Sequence, residues 1–170
     1  GSEISDLSPL SGLPALRYLN LVDNAIDDIS PLSTCTALVS LEVAGNSIDS
    51  LAPVATLAVL SHLDAVRNAL TAIDVELPPS LESLFLANNP VTSLAPIAGH
   101  TLRTLDISST ALESLAPLFD LPELERLYAD GIGVTDLDAF PLAQLVRLSL
   151  KDNQIENIAA LHCYGARLMT

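Results

Sequence analysis

The stretch Leu16 to Ala37, LRYLNLVDNAIDDISPLSTCTA, recurs along the chain with its frame intact. With Leu16 as place 1, leucine or isoleucine occupies places 1, 4, 6, 11, 14 and 17, and asparagine occupies place 9. Six further copies begin at Leu38, Leu60, Leu81, Leu102, Leu124 and Leu145, giving a period of 21 or 22, and a truncated copy at 4–15 precedes them. Places 4 and 6 lie two apart and so point to one side of an extended strand. Helical spacing, three and four, fails at place 6. Each copy therefore opens with a short strand, turns at the asparagine and returns through the second apolar set. One copy alone buries none of this set, whereas stacked copies bury all of it.

The asparagines are Asn24, Asn46, Asn68, Asn89 and Asn153. A carboxamide both donates and accepts, so a buried one satisfies backbone groups left open where the strand turns, in its own coil and the next. The ladder breaks at Thr110 and Ile132, and Gly131 and Gly133 around Ile132 predict an altered turn. Place 16 is proline in Pro9, Pro31, Pro53, Pro96 and Pro117. Proline fits the first turn of a helix, where its missing N–H has no partner to lose. Ser8 and Ser30 before it are candidate caps, and the outer side is expected to be single 3₁₀ turns. Two copies depart, returning through VELPPS and DAFPLAQ, and both carry alanine at place 6, Ala65 and Ala129.

The frame L-x-x-L-x-L-x-x-N-x-I resembles leucine-rich repeats over essentially the whole chain, with copies similar to the 22-residue bacterial internalin type and to the regulatory-subunit type of type-1 protein phosphatase. LPPSLESL resembles the shorter repeats of bacterial effector proteins. The resemblance implies an α/β solenoid (a horseshoe) with a parallel β-sheet on the concave face and short 3₁₀ turns or loops on the convex face. Residues 1–170 are expected to form one such domain. Ile4 enters the frame at place 11 and Leu168 is placed to open a ninth strand, so the expectation is a piece of a longer protein.

Composition narrows the function. The net charge is −14, from 21 acids against 7 bases. Nucleic acid needs a basic stripe, and the chain has none. No apolar run approaches the ~20 residues that span a bilayer, so membrane insertion is not expected. Cys35 and Cys163 lie too many coils apart to pair, and no N-x-Ser/Thr acceptor is present; both facts favour the cytoplasm. Cys35 falls where Leu13 and Leu57 sit in neighbouring copies and reads as core.

Places 2, 3, 5, 7 and 8 face outward from the strands. Six bases lie there (Arg17, Arg67, Arg103, Arg126, Arg147, Lys151) beside eight acids, while thirteen acids and one base lie elsewhere. Glu82, Arg103 and Glu125, on place 2 of successive copies, are expected to pair sideways. Tyr18, Phe85 and Tyr128 share this face, and exposed aromatics and arginines are typical interface anchors. Isolated exposed apolar residues are common, but three rings on one face outweigh that reading. The candidate partner-binding residues are Tyr18, Asn20, Glu42, His62, Asp64, Phe85, Asp106, Arg126, Tyr128 and Arg147. The early half of the face is acidic and its end basic, which fits a partner with opposite ends.

Catalysis is not expected. Glu42, His62 and Asp64 lie on adjacent strands, yet no fourth ligand or cysteine pair at zinc spacing accompanies them. There is no glycine-rich phosphate loop and no nucleophile with a base in frame, so neither a metal nor a cofactor is assigned. The expected function is a non-catalytic scaffold that binds a protein through the concave face. The resemblance leaves two alternatives open: a regulatory subunit docking on a protein phosphatase, and an internalin-like adhesin or effector segment.

Overall fold

The computed structural model describes residues 3–136, 140 and 144–156. Seven three-residue strands form one parallel sheet in chain order. They are β1 (Tyr18–Asn20), β2 (Ser40–Glu42), β3 (His62–Asp64), β4 (Ser83–Phe85), β5 (Thr104–Asp106), β6 (Arg126–Tyr128) and β7 (Arg147–Ser149). Pairing keeps the repeat register, so Tyr18, Ser40, His62, Ser83, Thr104, Arg126 and Arg147 stand side by side. The skipped residue in the 21-residue copies is absorbed on the return, and the sheet stays in step.

Alternation along each strand divides its side chains. The middle residues Leu41, Leu63, Leu84, Leu105 and Leu127 are fully buried, and places 1 and 6 bury Leu38, Leu60, Leu81, Val43 and Leu86 beside them. The return adds Ile26, Ile48, Leu70 and Val91 at place 11, then Leu32, Val54, Ile97 and Leu118 at place 17. Cys35 is a free thiol in this core, donating to Leu10 O at 3.2 Å. Leu13, the matching residue of the first coil, is instead 41% exposed, because it has a neighbouring coil on one side only. Cys163, His162 and Leu168 lie outside the described residues.

The asparagines stitch each coil to the one before it, not to the one after. Asn46 Nδ2 donates to Leu21 O (3.0 Å) in the preceding coil and to Val43 O (2.9 Å) in its own, while its Oδ1 accepts from Ile26 N (3.0 Å). Asn68 and Asn89 repeat the pattern. Thr110 donates only within its coil, to Ile107 O. Ile132 has no polar atom to offer, and Asn153 of the next coil accepts from both Ile132 N and Val134 N at 3.1 Å. The altered turn falls at Gly133, whose positive φ of 77° has no counterpart at place 10 of the other described coils.

Five returns fold into 3₁₀ turns with proline in the first two positions: Ser8–Leu10, Ser30–Thr34, Ala52–Thr56, Ala95–Ile97 and Ala116–Asp120. Ser8 and Ser30 do not cap them. The cap is place 13, two residues before each turn: Asp6 and Asp28 accept from Ser8 N and Ser30 N (2.8 and 2.7 Å), and Ser50, Ser93 and Ser114 accept equivalently at 3.2 Å. A side chain there reaches a backbone N–H two residues on, which one inside the turn cannot do.

Two outcomes are expected from these bonds. Asn46→Ala should lower stability by about 1–3 kcal/mol through unpaired backbone groups; an unchanged urea midpoint would refute the ladder's role. The Ser30 hydroxyl, then its backbone N–H, holds the Asp28 carboxyl below its ordinary value of 3.8. A depressed carboxyl stabilises above the unfolded value and loses that contribution as pH falls through the folded one. Asp28→Ala should therefore be less stable than the parent at neutral pH and converge with it in acid, read as melting temperature against pH.

Candidate functional site

The outward places form two rows across the sheet. One is the register row from Tyr18 to Arg147; the other runs Asn20, Glu42, Asp64, Phe85, Asp106, Tyr128 and Ser149. All ten candidate residues stand on these two rows. Tyr18 is 68% exposed at the outer edge of the sheet, with Arg17 over its ring at 6.0 Å. Phe85 and Tyr128 are half-buried nearer the centre, two strand steps apart with Asp106 between them. His62 lies against Phe85 (5.4 Å between centroids, 49° between planes), and the Arg147 guanidinium lies 5.2 Å from the Tyr128 ring. The rings thus divide into a central pair and an outlier.

Three polar candidates also serve the backbone. Oδ1 of Asn20, Asp64 and Asp106 accepts the N–H two residues on, from Val22 (3.1 Å), Val66 (3.0 Å) and Ser108 (2.9 Å). These bonds tie down the chain where each strand ends. They also hold each side chain by one oxygen, and the second carboxylate oxygen of each aspartate takes no part in that bond. Glu42 accepts from Asn20 Nδ2. The trio Glu42, His62 and Asp64 is therefore turned to three separate neighbours, and among the described residues no three metal-ligating side chains converge.

Place 8 holds a feature that the repeat frame does not announce. Asp23, Gly45, Arg67, Asn88, Ser109, Gly131 and Asp152 all adopt positive φ, between 54° and 68°. Asp and Asn tolerate that region, but arginine and serine enter it at a cost of about 1 kcal/mol, set by the coil's turn. At Gly45 the missing side chain leaves a gap: a Cβ there would lie 2.2 Å from Asp23 Oδ1 and 3.3 Å from an Arg67 nitrogen. Across this gap Asp23 and Arg67 join at 2.9 Å, two coils apart. Nothing in a 22-residue period signals a bridge between residues 44 apart. Arg103 meets the expected Glu125 (2.8 Å) and also Glu123 (2.7 Å), the last residue of its own coil, and no pair with Glu82 forms among the described residues. Arg126 reaches Glu125 at 3.7 Å.

After these pairs are formed, the charges left on the face are sorted. Asp64 and Asp106 make no ion pair among the described residues, nor do Arg147 and Lys151. Glu42, Glu82, Asp130 and Asp152 make none either, so acid alone remains at the centre while both signs stand at the β7 end.

A family model described as leucine-rich repeats in two copies matches residues 14–58. Among solved structures, an internalin (InlF) from Listeria monocytogenes superposes with a TM-score of 0.82 at 32% identity, over 91% of this chain and 46% of that one. Internalin C2 from the same organism gives 0.72 at 31% identity, over 91% and 71%. A leucine-rich-repeat protein of Leptospira interrogans gives 0.81 at 22% identity, over 96% and 45%, a likeness of fold alone. The chain spans about half the length of InlF, 46%. No curated protein sequence matches it.

Because Asn20 does with an amide oxygen what Asp106 does with a carboxylate, charge and backbone support are separable. Asp106→Asn should keep the parent's denaturation midpoint, and Asp106→Ala should lose about 1 kcal/mol. Equal losses in both variants would show that the charge, and not the bond to Ser108 N, stabilises the strand end.

Proposed function

This chain belongs to the leucine-rich repeat proteins, and from that premise we propose that it is a non-catalytic scaffold that binds a protein partner through its concave sheet face. The observation that carries the reading is the pair Phe85 and Tyr128, two half-buried rings on the outward row of the sheet with a carboxylate between them. The fold does not need rings there, since glutamate or serine fills the same row in other coils. A large flat side chain that keeps part of its area in water gains stabilisation when a partner covers it. The unpaired charges around the rings favour specificity more than affinity.

The second reading, an internalin-like adhesin or effector segment, is supported by 32% and 31% identity to two internalins. It differs in where the parent protein works, not in which face binds. An export signal at the head of the parent gene would favour it, and copurification of a phosphatase would favour the regulatory-subunit alternative.

Phe85→Ala combined with Tyr128→Ala should abolish capture of the partner in a pulldown with the full-length parent, with the melting curve nearly unchanged because both rings lie outside the aliphatic core. Partner capture that survives both substitutions would exclude this face as the binding site.

A further inference from the structure

We infer that the centre of the sheet face takes an extended segment of the partner in which a lysine or arginine is separated by about five residues from an acidic side chain; this rests on the protein-binding reading above and names the chemistry it selects. Asp64, Phe85 and Asp106 stand side by side in direct register on β3, β4 and β5. At about 4.8 Å per strand step, the two carboxylates lie roughly 10 Å apart with the ring between them. That is too wide to share a metal ion. It suits an ammonium or guanidinium over the Phe85 face, attracted by the ring and by a carboxylate on either side. Among the described residues no base fills the slot, since Arg67 is held by Asp23, and Arg103 by Glu123 and Glu125. The acceptor parts are preorganised. Val66 N and Ser108 N fix the two carboxylates, and His62 braces the ring.

The other end of the segment follows from β6 and β7. Arg126 and Arg147 are register neighbours, and like charges side by side on a sheet oppose each other. An acidic side chain laid over them relieves that repulsion. From Phe85 to Arg147 is three strand steps across the sheet and two residues along the strand, since the two stand on different rows; the diagonal of about 16 Å is covered by an extended chain at about 3.3 Å per residue in about five residues. A segment laid in the opposite sense sets base against base and acid against acid, so the face also selects direction.

The test is selection of phage-displayed random dodecapeptides on the whole chain, followed by affinity measurement of an enriched peptide in solution. Enriched peptides should carry a basic and an acidic residue about five apart. Asp64→Asn with Asp106→Asn, which keeps both amide-type acceptors, should weaken binding about tenfold. Asp27→Asn with Asp49→Asn, on the flank at place 12, should leave binding unchanged. Equal weakening by the flank pair would mean general attraction to a chain of net charge −14 and would overturn the inference. Peptides lost on Phe85→Ala with Tyr128→Ala but lacking a basic residue would overturn it while leaving the protein-binding face intact. Peptides indifferent to both pairs of substitutions, or no enrichment at all, would overturn both.

Discussion

Where each strand ends, the chain must turn inward, and its backbone groups leave the sheet before they reach another regular partner. The asparagine carboxamide at place 9 meets that need, donating to carbonyls of two successive coils and accepting an N–H from the earlier one. Aliphatic stacking supplies the larger share of the driving force, but it is non-directional. The carboxamide is what fixes each coil against the one before it at a set height and angle. The coils with Thr110 and Ile132 at that place keep the same register, so strand pairing and aliphatic stacking carry the two outward rows across the gaps in the ladder. At Ile132, where the carboxamide is missing, Asn153 of the next coil keeps its regular bonds to Val134 N and Ala129 O and accepts from Ile132 N as well.

The outward face has two roles that compete for the same atoms. Asn20, Asp64 and Asp106 hold strand ends in place, and the two aspartates also present charge. Using one carboxylate oxygen for the backbone leaves the other in a fixed direction, which favours recognition over a freely rotating side chain. The arginines divide likewise. Arg67 and Arg103 are drawn into bridges at the margins of the face, while Arg147 stays over Tyr128. A formally mixed surface thereby becomes acidic at the centre, with the free arginine and lysine at the β7 end beside Asp130 and Asp152.

The internalin likeness and the strand-face argument concern different properties. Identity of 31–32% to two internalins accompanies a shared fold. The residues proposed to bind sit at places the frame leaves free, so fold similarity carries little information about them.

The sequence alone determined the solenoid, its period, the register of its strands, the asparagine ladder and the set of residues that share a face. These follow from local rules, since alternation along a strand and the need to bury an aliphatic set act within one coil and its neighbour. Only the tertiary structure decided that Asp28 and not Ser30 caps the outer turn, that place 8 takes positive φ even with arginine or serine, and that Arg67 crosses Gly45 to Asp23. Those outcomes depend on where side-chain tips end after coils are stacked. A pairing 44 residues apart, or Arg103 adding Glu123 to the expected Glu125 and leaving Glu82 aside, is settled by distances of a few ångströms that no periodic pattern encodes.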